Sequence, residues 1–181
     1  ALNNRGYAYM KKEDFRNALK DFQLLFEKTD KKNAVACFNI GKCYSALKDY
    51  DEAIEYFLQN LTLNKNNKYS FFELGYCYAS KAAPEKENAL KYYSSAIEQD
   101  PKYYEPYLYR GTLYLFKFDN FKKAHEDLEK SIEINPRGKL SYLYNGIAYR
   151  DENNFLKAKD IFTKVIDQNP KYAEAYYERG I

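Results

Sequence analysis

Hydrophobic residues recur along the chain at intervals of three and four positions, separated by charged and amide residues. One example is the set Phe155, Ala158, Phe162 and Ile166. This spacing places the side chains on one face of an α-helix. The alternation typical of a β-strand appears over no useful length, and short polar segments such as residues 151–154 separate the helical patterns. We therefore predict an all-α chain whose helices are about 14 residues, or about 20 Å, long.

The helical patterns belong to a repeat of 34 to 36 residues that is marked by glycine. Six of the seven glycines follow this period: Gly6, Gly41, Gly75, Gly111, Gly146 and Gly180. An alanine comes 12 to 14 positions after each of the first five: Ala18, Ala53, Ala89, Ala124 and Ala158. A large apolar residue follows each alanine by four positions, and a tyrosine follows each of these glycines by three. Each repeat therefore holds a first helix with the glycine and a second helix with the alanine.

The small residues indicate where the two helices of a repeat meet. A glycine inside a helix costs about 1 kcal/mol relative to alanine, so its recurrence at one position indicates the close approach of another backbone. We predict that each glycine faces the alanine of its own repeat, as in Gly41 and Ala53, at a tight antiparallel crossing. The large apolar residues would then fill the spaces between repeats, because one repeat cannot bury its apolar face alone.

These residues resemble the tetratricopeptide-repeat family. The resemblance rests on the glycine, the tyrosine three positions later, the alanine, the aromatic residue four beyond it, and the prolines that close later repeats (Pro101, Pro136 and Pro170). It covers the whole chain and implies a right-handed α-α superhelical solenoid. As a single array over residues 1–181, it would place repeats at about 1–33, 34–67, 68–103, 104–138 and 139–172, with a partial sixth at 173–181.

The departures from this pattern are short insertions. Extra residues occur near 29–32, near 81–84 and near 117–118, and we expect all of them to lengthen turns without disturbing the stack. The chain begins without Met and stops within a repeat. We therefore expect it to be a fragment of a longer protein.

The resemblance implies that the first helices line a concave groove, where family members commonly bind peptides or partner helices. At about 100° per residue, helix geometry assigns this face to positions six, three and two before each glycine and one after it. The predicted groove residues are Phe38, Asn39, Lys42, Tyr69, Phe72, Glu73, Tyr76, Glu105, Leu108, Tyr109 and Tyr144, and the same positions also hold Thr112, Leu140, Leu143 and Ile147. So apolar a stripe predicts an apolar or aromatic peptide as its partner. Alternatively, the residue three before each glycine packs against the neighbouring first helix.

One known binding mode of the family is excluded by the sequence. Chaperone-binding members share a clamp of lysine, arginine and asparagine that grips a C-terminal carboxylate. Asn39 holds the middle position of such a clamp, but Tyr69 and Glu73 stand where it needs basic side chains. The asparagine ladder of the repeat region of O-GlcNAc transferase also fails, because Glu73 and Tyr109 interrupt it. We therefore expect no carboxylate-clamp chaperone binding.

Composition narrows the classes of partner. The net charge of +3 is spread along the chain without a polybasic block, so we do not expect nucleic acid binding. No apolar run reaches the roughly 18 residues that span a bilayer, and we expect no membrane insertion. The three cysteines, Cys37, Cys43 and Cys77, form no CxxC pair. We predict that they are buried, inert thiols, typical of a reducing cytoplasm.

Candidate chemistry is scarce. His125, the single histidine, is predicted to be a solitary surface residue among lysines and glutamate. The carboxylates Asp51, Glu52, Glu126 and Asp127 are predicted to lie on exposed parts of second helices. The sequence has no phosphate-binding glycine loop and no HExxH motif. We therefore predict no enzyme activity, no cofactor and no metal site.

The sequence thus indicates an interaction scaffold or adaptor that holds other proteins, in its groove or along its edges, within a larger protein or assembly. Two alternatives remain. The chain is a structural component of a ciliary or microtubule-associated complex, which its bias towards tyrosine, lysine and asparagine mildly favours through an AT-rich source genome. Otherwise, it is the substrate-recruiting arm of an enzyme whose catalytic domain lies outside this sequence. Fold alone does not choose among these.

Overall fold

The computed structural model describes residues 1–180, and Ile181, the last residue of the predicted partial sixth repeat, lies outside the described residues. Residues 1–180 contain helices and turns and no strand, which confirms the all-α prediction. The helices are α1 (Leu2–Lys11), α2 (Phe15–Lys28), α3 (Ala34–Leu47), α4 (Tyr50–Leu63), α5 (Lys68–Ser80), α6 (Lys86–Gln99), α7 (Tyr104–Phe118), α8 (Phe121–Ile134), α9 (Lys139–Asp151), α10 (Phe155–Gln168) and α11 (Ala173–Gly180). The odd-numbered helices are the first helices of the repeats and the even-numbered ones are the second helices.

Short polar side chains fix where many of these helices begin. The first-turn N–H groups of a helix have no partner within it, and an aspartate or asparagine before the first turn accepts a hydrogen bond from one of them. Five residues do so here: Asp14, Asn33, Asn67, Asn120 and Asn154. In four of the turns inside repeats a left-handed residue stands two positions before the first residue of the second helix: Glu13, Lys48, Asp119 and Asn153. These turns reverse the chain within two or three residues.

Two of the three insertions lie in connections, as predicted, and the third does not. Residues 29–33 and 81–85 are longer connections that join α2 to α3 and α5 to α6. In the fourth repeat the extra residue belongs to α7, which has 15 residues against 14 in α3. The turn after α7 keeps the two-residue form of Lys48 and Asp49, with Asp119 left-handed at a φ of 49°. The helix absorbs the insertion because it can grow at its end while the turn stays unchanged.

The chain divides into two compact units. Unit 1 is Ala1–Gln99 and holds α1 to α6, and unit 2 comprises the described residues from Asp100 onward and holds α7 to α11. Within each unit the helices are antiparallel neighbours that pack on the next helix along the chain. First helices also contact each other, α3 with α5 in unit 1 and α7 with α9 in unit 2. Each unit is therefore a stack of helical pairs with its core between the helices.

In four repeats the glycine makes room for an aromatic ring rather than for the alanine, which corrects the sequence prediction there. At Gly111 a Cβ atom would lie 2.9 Å from Leu128 and 3.3 Å from the backbone oxygen of Ala124, so the predicted alanine is also close. A Cβ atom added to Gly41 would lie 2.8 Å from the ring of Phe57, and one added to Gly146 would lie 2.5 Å from the ring of Phe162. Both rings stand four positions after a repeated alanine. A helical side chain covers the turn that precedes its own Cα, so each ring reaches back over the alanine and fills the gap above the glycine. The alanine is buried beneath that ring, with at most 3% of its surface exposed in every repeat.

Candidate partner-binding surfaces

An open cavity lies on the first-helix face of unit 1, near the beginnings of α3 and α5. Its volume is about 190 Å³, and its apolar lining comes from three helices: Tyr7 of α1, Val35 and Phe38 of α3, and Tyr69 of α5. Tyr7 is 41% exposed, Val35 52% and Tyr69 50%. The amide side chain of Asn64 adds a polar edge. The structure thus brings together two predicted groove residues, Phe38 and Tyr69, in one recess.

Two polar contacts hold the first helices of unit 1 together beside this cavity. The Asn39 side chain is buried, and its amide nitrogen donates a hydrogen bond of 2.9 Å to the Tyr7 hydroxyl. Lys42 and Glu73 form an ion pair with an N–O distance of 3.4 Å. Burial raises the pKa of Glu73, and the positive charge of Lys42 opposes that change. Three predicted groove residues are therefore engaged within the protein and present no unpaired charge to a partner.

The aromatic residues three before the glycines serve packing as well as surface. Phe38 lies against Phe57, with ring centroids 5.6 Å apart, and Phe72 lies against Tyr93 at 5.9 Å. Both are half-buried. Tyr76 is half-buried too and stands edge-on to the ring of Tyr50 at 6.5 Å. Phe38 and Phe72 thus pack on the second helix of their own repeat, α4 and α6, and not on the neighbouring first helix that the alternative named.

The corresponding stripe of unit 2 is more deeply packed. Leu108 is 6% exposed, as is Leu143, and both belong to the hydrophobic core. Tyr109 and Tyr144 are half-buried against the same core, and Phe116, which is 51% exposed, stands edge-on to Tyr144 at 5.8 Å. The remaining predicted residue, Glu105, lies half-buried in the first turn of α7.

Val35 and Tyr7 are cavity residues that are absent from the predicted groove set. Val35 stands six positions before Gly41, and Tyr7 stands one position after Gly6. Both positions belong to the face that helix geometry assigns to the groove. Both residues were therefore predictable from the sequence, because the same four positions around Gly6 and Gly41 include them.

His125 is not a solitary surface residue, and that prediction is wrong. Only 13% of its side chain is exposed, and its ring stacks on Tyr149 with centroids 3.9 Å apart. Its Nδ1 lies 2.6 Å from Oδ1 of Asn145, and its Nε2 lies 2.9 Å from a carboxylate oxygen of Glu152. The neighbouring first helix, α9, supplies two of these contacts. These contacts could not be predicted from the position of His125 along α8, because they depend on packing between repeats.

Asp127 is also placed differently from its predicted exposed position. Its carboxylate is buried and accepts two hydrogen bonds from Arg110, at 2.8 and 2.7 Å. Asp51, Glu52 and Glu126 are exposed, as predicted. Asp127 differs from Glu126 by one position, and a step of about 100° turns it from solvent to the core.

The described residues offer little chemistry beyond binding. The three cysteines are fully buried, as predicted, and burial raises the pKa of each thiol to about 12. Within residues 1–180, no three histidine, cysteine or acidic side chains are grouped so that they could hold a metal ion. No helix in the same range is long and apolar enough to cross a membrane.

Comparison of the sequence with known protein families identifies repeats at the positions of the first two helix pairs. Family models described as the tetratricopeptide repeat match residues 1–27 and residues 34–67. These ranges hold the pairs α1–α2 and α3–α4. The chain carries tetratricopeptide repeats in both segments.

Several proteins resemble this tetratricopeptide-repeat chain over part of their length. The UDP-N-acetylglucosamine–peptide N-acetylglucosaminyltransferase of Giardia intestinalis is 39% identical over 72 residues, which are 40% of this chain and 5% of the transferase. BBSome complex member BBS4 of Bos taurus is 28% identical over 147 residues, which are 79% of this chain and 28% of that protein. The crystal structure of MamA matches with a TM-score of 0.80 at 25% identity, covering 93% of this chain and 96% of MamA. The chain thus spans a small part of these two relatives' lengths.

Stacked tetratricopeptide repeats are a scaffold for protein–protein interactions. The fold, the two family matches and the likeness to MamA all support this class of function for the chain. The likeness to the transferase is confined to the repeat-bearing segment and does not extend to a catalytic domain.

Proposed function

We propose that this chain binds a segment of a partner protein on the first-helix face of unit 1. The observation that supports the proposal is the cavity of about 190 Å³ lined by Tyr7, Val35, Phe38 and Tyr69. Three of these side chains are 41 to 52% exposed although they are large and apolar. Aromatic residues around a recess are the usual anchors of protein interfaces.

The chemistry of the recess selects the kind of partner. Its walls are aromatic and aliphatic, so they favour an apolar or aromatic side chain, while the Asn64 amide at the edge can pair with the partner's backbone. Lys42 and Glu73 neutralise each other beside it. An apolar anchor on a peptide or helix therefore suits this face better than a C-terminal carboxylate.

A displayed library of random peptides, selected against the purified chain, tests the proposal. We expect the selected peptides to share an apolar or aromatic anchor. Their affinity should fall at least about tenfold when Tyr69 and Val35 are both changed to alanine, because two anchors of the recess are then removed. Isothermal titration calorimetry measures the change.

The control is Leu24→Ala, which removes an apolar side chain of similar exposure (45%) from the second helix α2. Its peptide affinity should match that of the wild type. A second comparison, Tyr109→Ala with Tyr144→Ala, tests the half-buried stripe of unit 2. If the selected peptides bind the Tyr69→Ala, Val35→Ala variant as tightly as the wild type, the proposed face is wrong.

Two observations bear on the larger context. The likeness to a BBSome complex member favours a structural role in a multi-protein assembly, ciliary or otherwise, and the likeness to a transferase favours a substrate-recruiting arm of an enzyme. In either case we propose that the chain itself is not catalytic and works in the cytoplasm. Co-purification of the native full-length protein separates the two roles. A stable set of stoichiometric partners supports the assembly role, and transferase activity in the purified protein supports the recruiting arm.

A further inference from the structure

Unit 2 contains a second recess, on the side of the second helices. It lies between α8 and α10, has α9 as its floor and has a volume of about 390 Å³. Its apolar and aromatic lining is Ile132 of α8, Tyr142 and Tyr149 of α9, and Ile161 of α10. We call this recess the α8–α10 cleft. It shares no residue with the cavity in unit 1, and it is an independent candidate for binding.

In the second and third repeats, both in unit 1, the equivalent position is occupied by a tyrosine ring. Tyr56 and Tyr92 each stand three positions after a repeated alanine, and each stacks on the tyrosine that stands three after the repeat's glycine. The centroids of Tyr56 and Tyr44 are 5.6 Å apart with 21° between the rings, and those of Tyr92 and Tyr78 are 5.4 Å apart with 2° between them. The protein thus fills this place twice with a stacked aromatic pair.

In the fifth repeat half of that pair is missing. Tyr149 stands three after Gly146, as Tyr44 does after Gly41, but the partner position on α10 is Ile161. Tyr149 stacks on His125 of the neighbouring α8 instead. The Lys157 ammonium lies 5.0 Å from the centroid of the Tyr149 ring. This flexible side chain can move aside or cover a ring that enters the cleft.

The floor of the cleft carries an amide at a position that is apolar in the second and third repeats and arginine in the first and fourth. Asn145 directly precedes Gly146, where unit 1 has the buried Ile40 and Leu74. It is 4% exposed and lines the cleft, and its Oδ1 is held 2.6 Å from His125. Its Nδ2 donates to no group among residues 1–180. A buried amide donor that borders an open recess is matched by a carbonyl or hydroxyl oxygen on whatever fills the recess.

We propose that the α8–α10 cleft binds an aromatic side chain from a peptide segment of a partner protein. The ring takes the place that Tyr56 and Tyr92 take in unit 1, packed between Ile161 and Tyr149. The Nδ2 of Asn145 donates a hydrogen bond to a backbone carbonyl or phenolic oxygen of the same segment.

The rim adds charge preferences to this site. Lys164 and Asp160 both line the cleft, and neither forms an ion pair within the described part of the chain. A partner with charged residues beside its aromatic anchor can therefore pair with this rim. Such rim pairs mainly set orientation and association rate, while the buried ring and amide set affinity.

The test uses N-acetyl-tyrosine amide as the probe, titrated into the ¹⁵N-labelled chain to concentrations on the order of 10 mM, since a fragment of this size binds weakly. We expect saturable shifts of the Asn145 side-chain amide and of the backbone amides of Tyr149 and Ile161. N-acetyl-leucine amide should shift the same signals less, because it lacks the ring that stacks. The variant Ile161→Tyr should abolish the response, because the new side chain fills the cleft as Tyr56 does in unit 1.

A second variant removes the donor while keeping the volume. Asn145→Leu introduces the residue that stands at this position in repeat three, Leu74. It should lower the affinity for the probe at least about tenfold, as expected for loss of a buried hydrogen bond. Tyr69→Ala, in unit 1, is the control and should leave the cleft signals unchanged. The amide spectrum of each variant reports whether it is folded, and Asn145→Leu decides the matter if Ile161→Tyr does not fold.

Three results would overturn the proposal. The first is shifts that spread over the surface or fall outside the cleft. The second is an undiminished response in a folded Ile161→Tyr or Asn145→Leu variant. The third is cleft signals that move with protein concentration in the absence of probe, which would indicate that a second copy of the chain is the occupant. Because the experiment uses unit 2 signals, it succeeds or fails independently of the peptide face proposed for unit 1.

Discussion

The same ion pair occurs at equivalent positions in the two units, in different surroundings. Arg5 and Arg110 each directly precede a repeated glycine, and Asp21 and Asp127 each lie three positions after a repeated alanine. Both pairs are bidentate, with N–O distances of 2.7 and 2.8 Å. Each aspartate side chain is 7% exposed, but the arginine side chain is 61% exposed in unit 1 and 19% in unit 2.

This difference in solvent exposure changes the sign of the effect on the carboxylate. The hydrogen bonds from Arg5 lower the pKa of Asp21, with burial opposing them. Burial raises the pKa of Asp127, although Arg110 opposes that change. Identical hydrogen bonds therefore have different consequences, because desolvation of the Asp127 carboxylate outweighs the arginine in unit 2 and desolvation of Asp21 does not in unit 1. The hydrogen-bond distances alone do not distinguish the two ion pairs.

Removing the buried arginine should have the largest effect. Arg110→Ala leaves the Asp127 carboxylate buried without its partner, and we expect the free energy of unfolding to fall by about 3–5 kcal/mol. Urea denaturation followed by circular dichroism measures the loss. Arg5→Ala is the matched control in unit 1, and its loss should be much smaller because water reaches Asp21 where the arginine was. Equal losses in the two variants would show that the surroundings of the pair do not matter.

Replacing both members of the buried pair should reverse most of that loss. Leu74 and Tyr92 hold the same two positions in repeat three, where Tyr92 stacks on Tyr78. The double variant Arg110→Leu, Asp127→Tyr copies this apolar solution, and its new ring can stack on Tyr114. We expect its stability in the same denaturation to equal or exceed that of the wild type, because a packed apolar pair often matches a buried ion pair. A double variant as unstable as Arg110→Ala would mean that the ion pair is needed for packing in unit 2.

Lowering the pH should distinguish the two ion pairs, and of the three changes it should have the smallest effect on the free energy of unfolding. Since the pKa of Asp21 is lower in the folded chain than in the unfolded one, its contribution to stability is complete above the ordinary aspartate pKa of about 4 and is lost as the pH falls through the folded value. The raised pKa of Asp127 has the opposite sign, so this residue does not add to the loss. Unfolding free energies measured from pH 6 to about pH 2 should therefore decline less steeply in Asp21→Asn than in the wild type. Identical slopes would remove Asp21 from the acid response.

The architecture was predictable because its signal is periodic. Glycine and alanine recur at fixed spacing, and this spacing sets the number of helices, their pairing and most of their turns. The packing partner of the glycine was predicted wrongly in four repeats, where an aromatic ring and not the alanine lies nearest. Spacing identifies the face of a helix, but the partner of Gly146 depends on how far the Phe162 ring reaches back along α10. The extra residue of repeat four was misplaced for a related reason, since a local count cannot distinguish a longer loop from a longer α7.

At the candidate sites, the depth of burial of individual side chains was what the sequence could not predict. Helix geometry predicted the direction of the first-helix face, and Tyr69 and Phe38 of that face line an open cavity. The sequence could not show that Leu108 would lie in the core, because that depends on the neighbouring helix. The neighbours of His125 were hidden in the same way. The α8–α10 cleft was argued from Ile161, which replaces the tyrosine of the second and third repeats, and this difference has a meaning only once the stacked pairs of those repeats are known.

The buried cysteines give the two units separate means of observation. All three thiols lie in α3 and α5 of unit 1, and unit 2 has none. A thiolate is the reactive species, so each sulfur can be labelled only when its helix opens to solvent. The rate of modification by an excess of a disulfide reagent therefore times the opening of unit 1 alone. The native cysteines thus report the opening of unit 1, and no engineered cysteine is needed for the measurement.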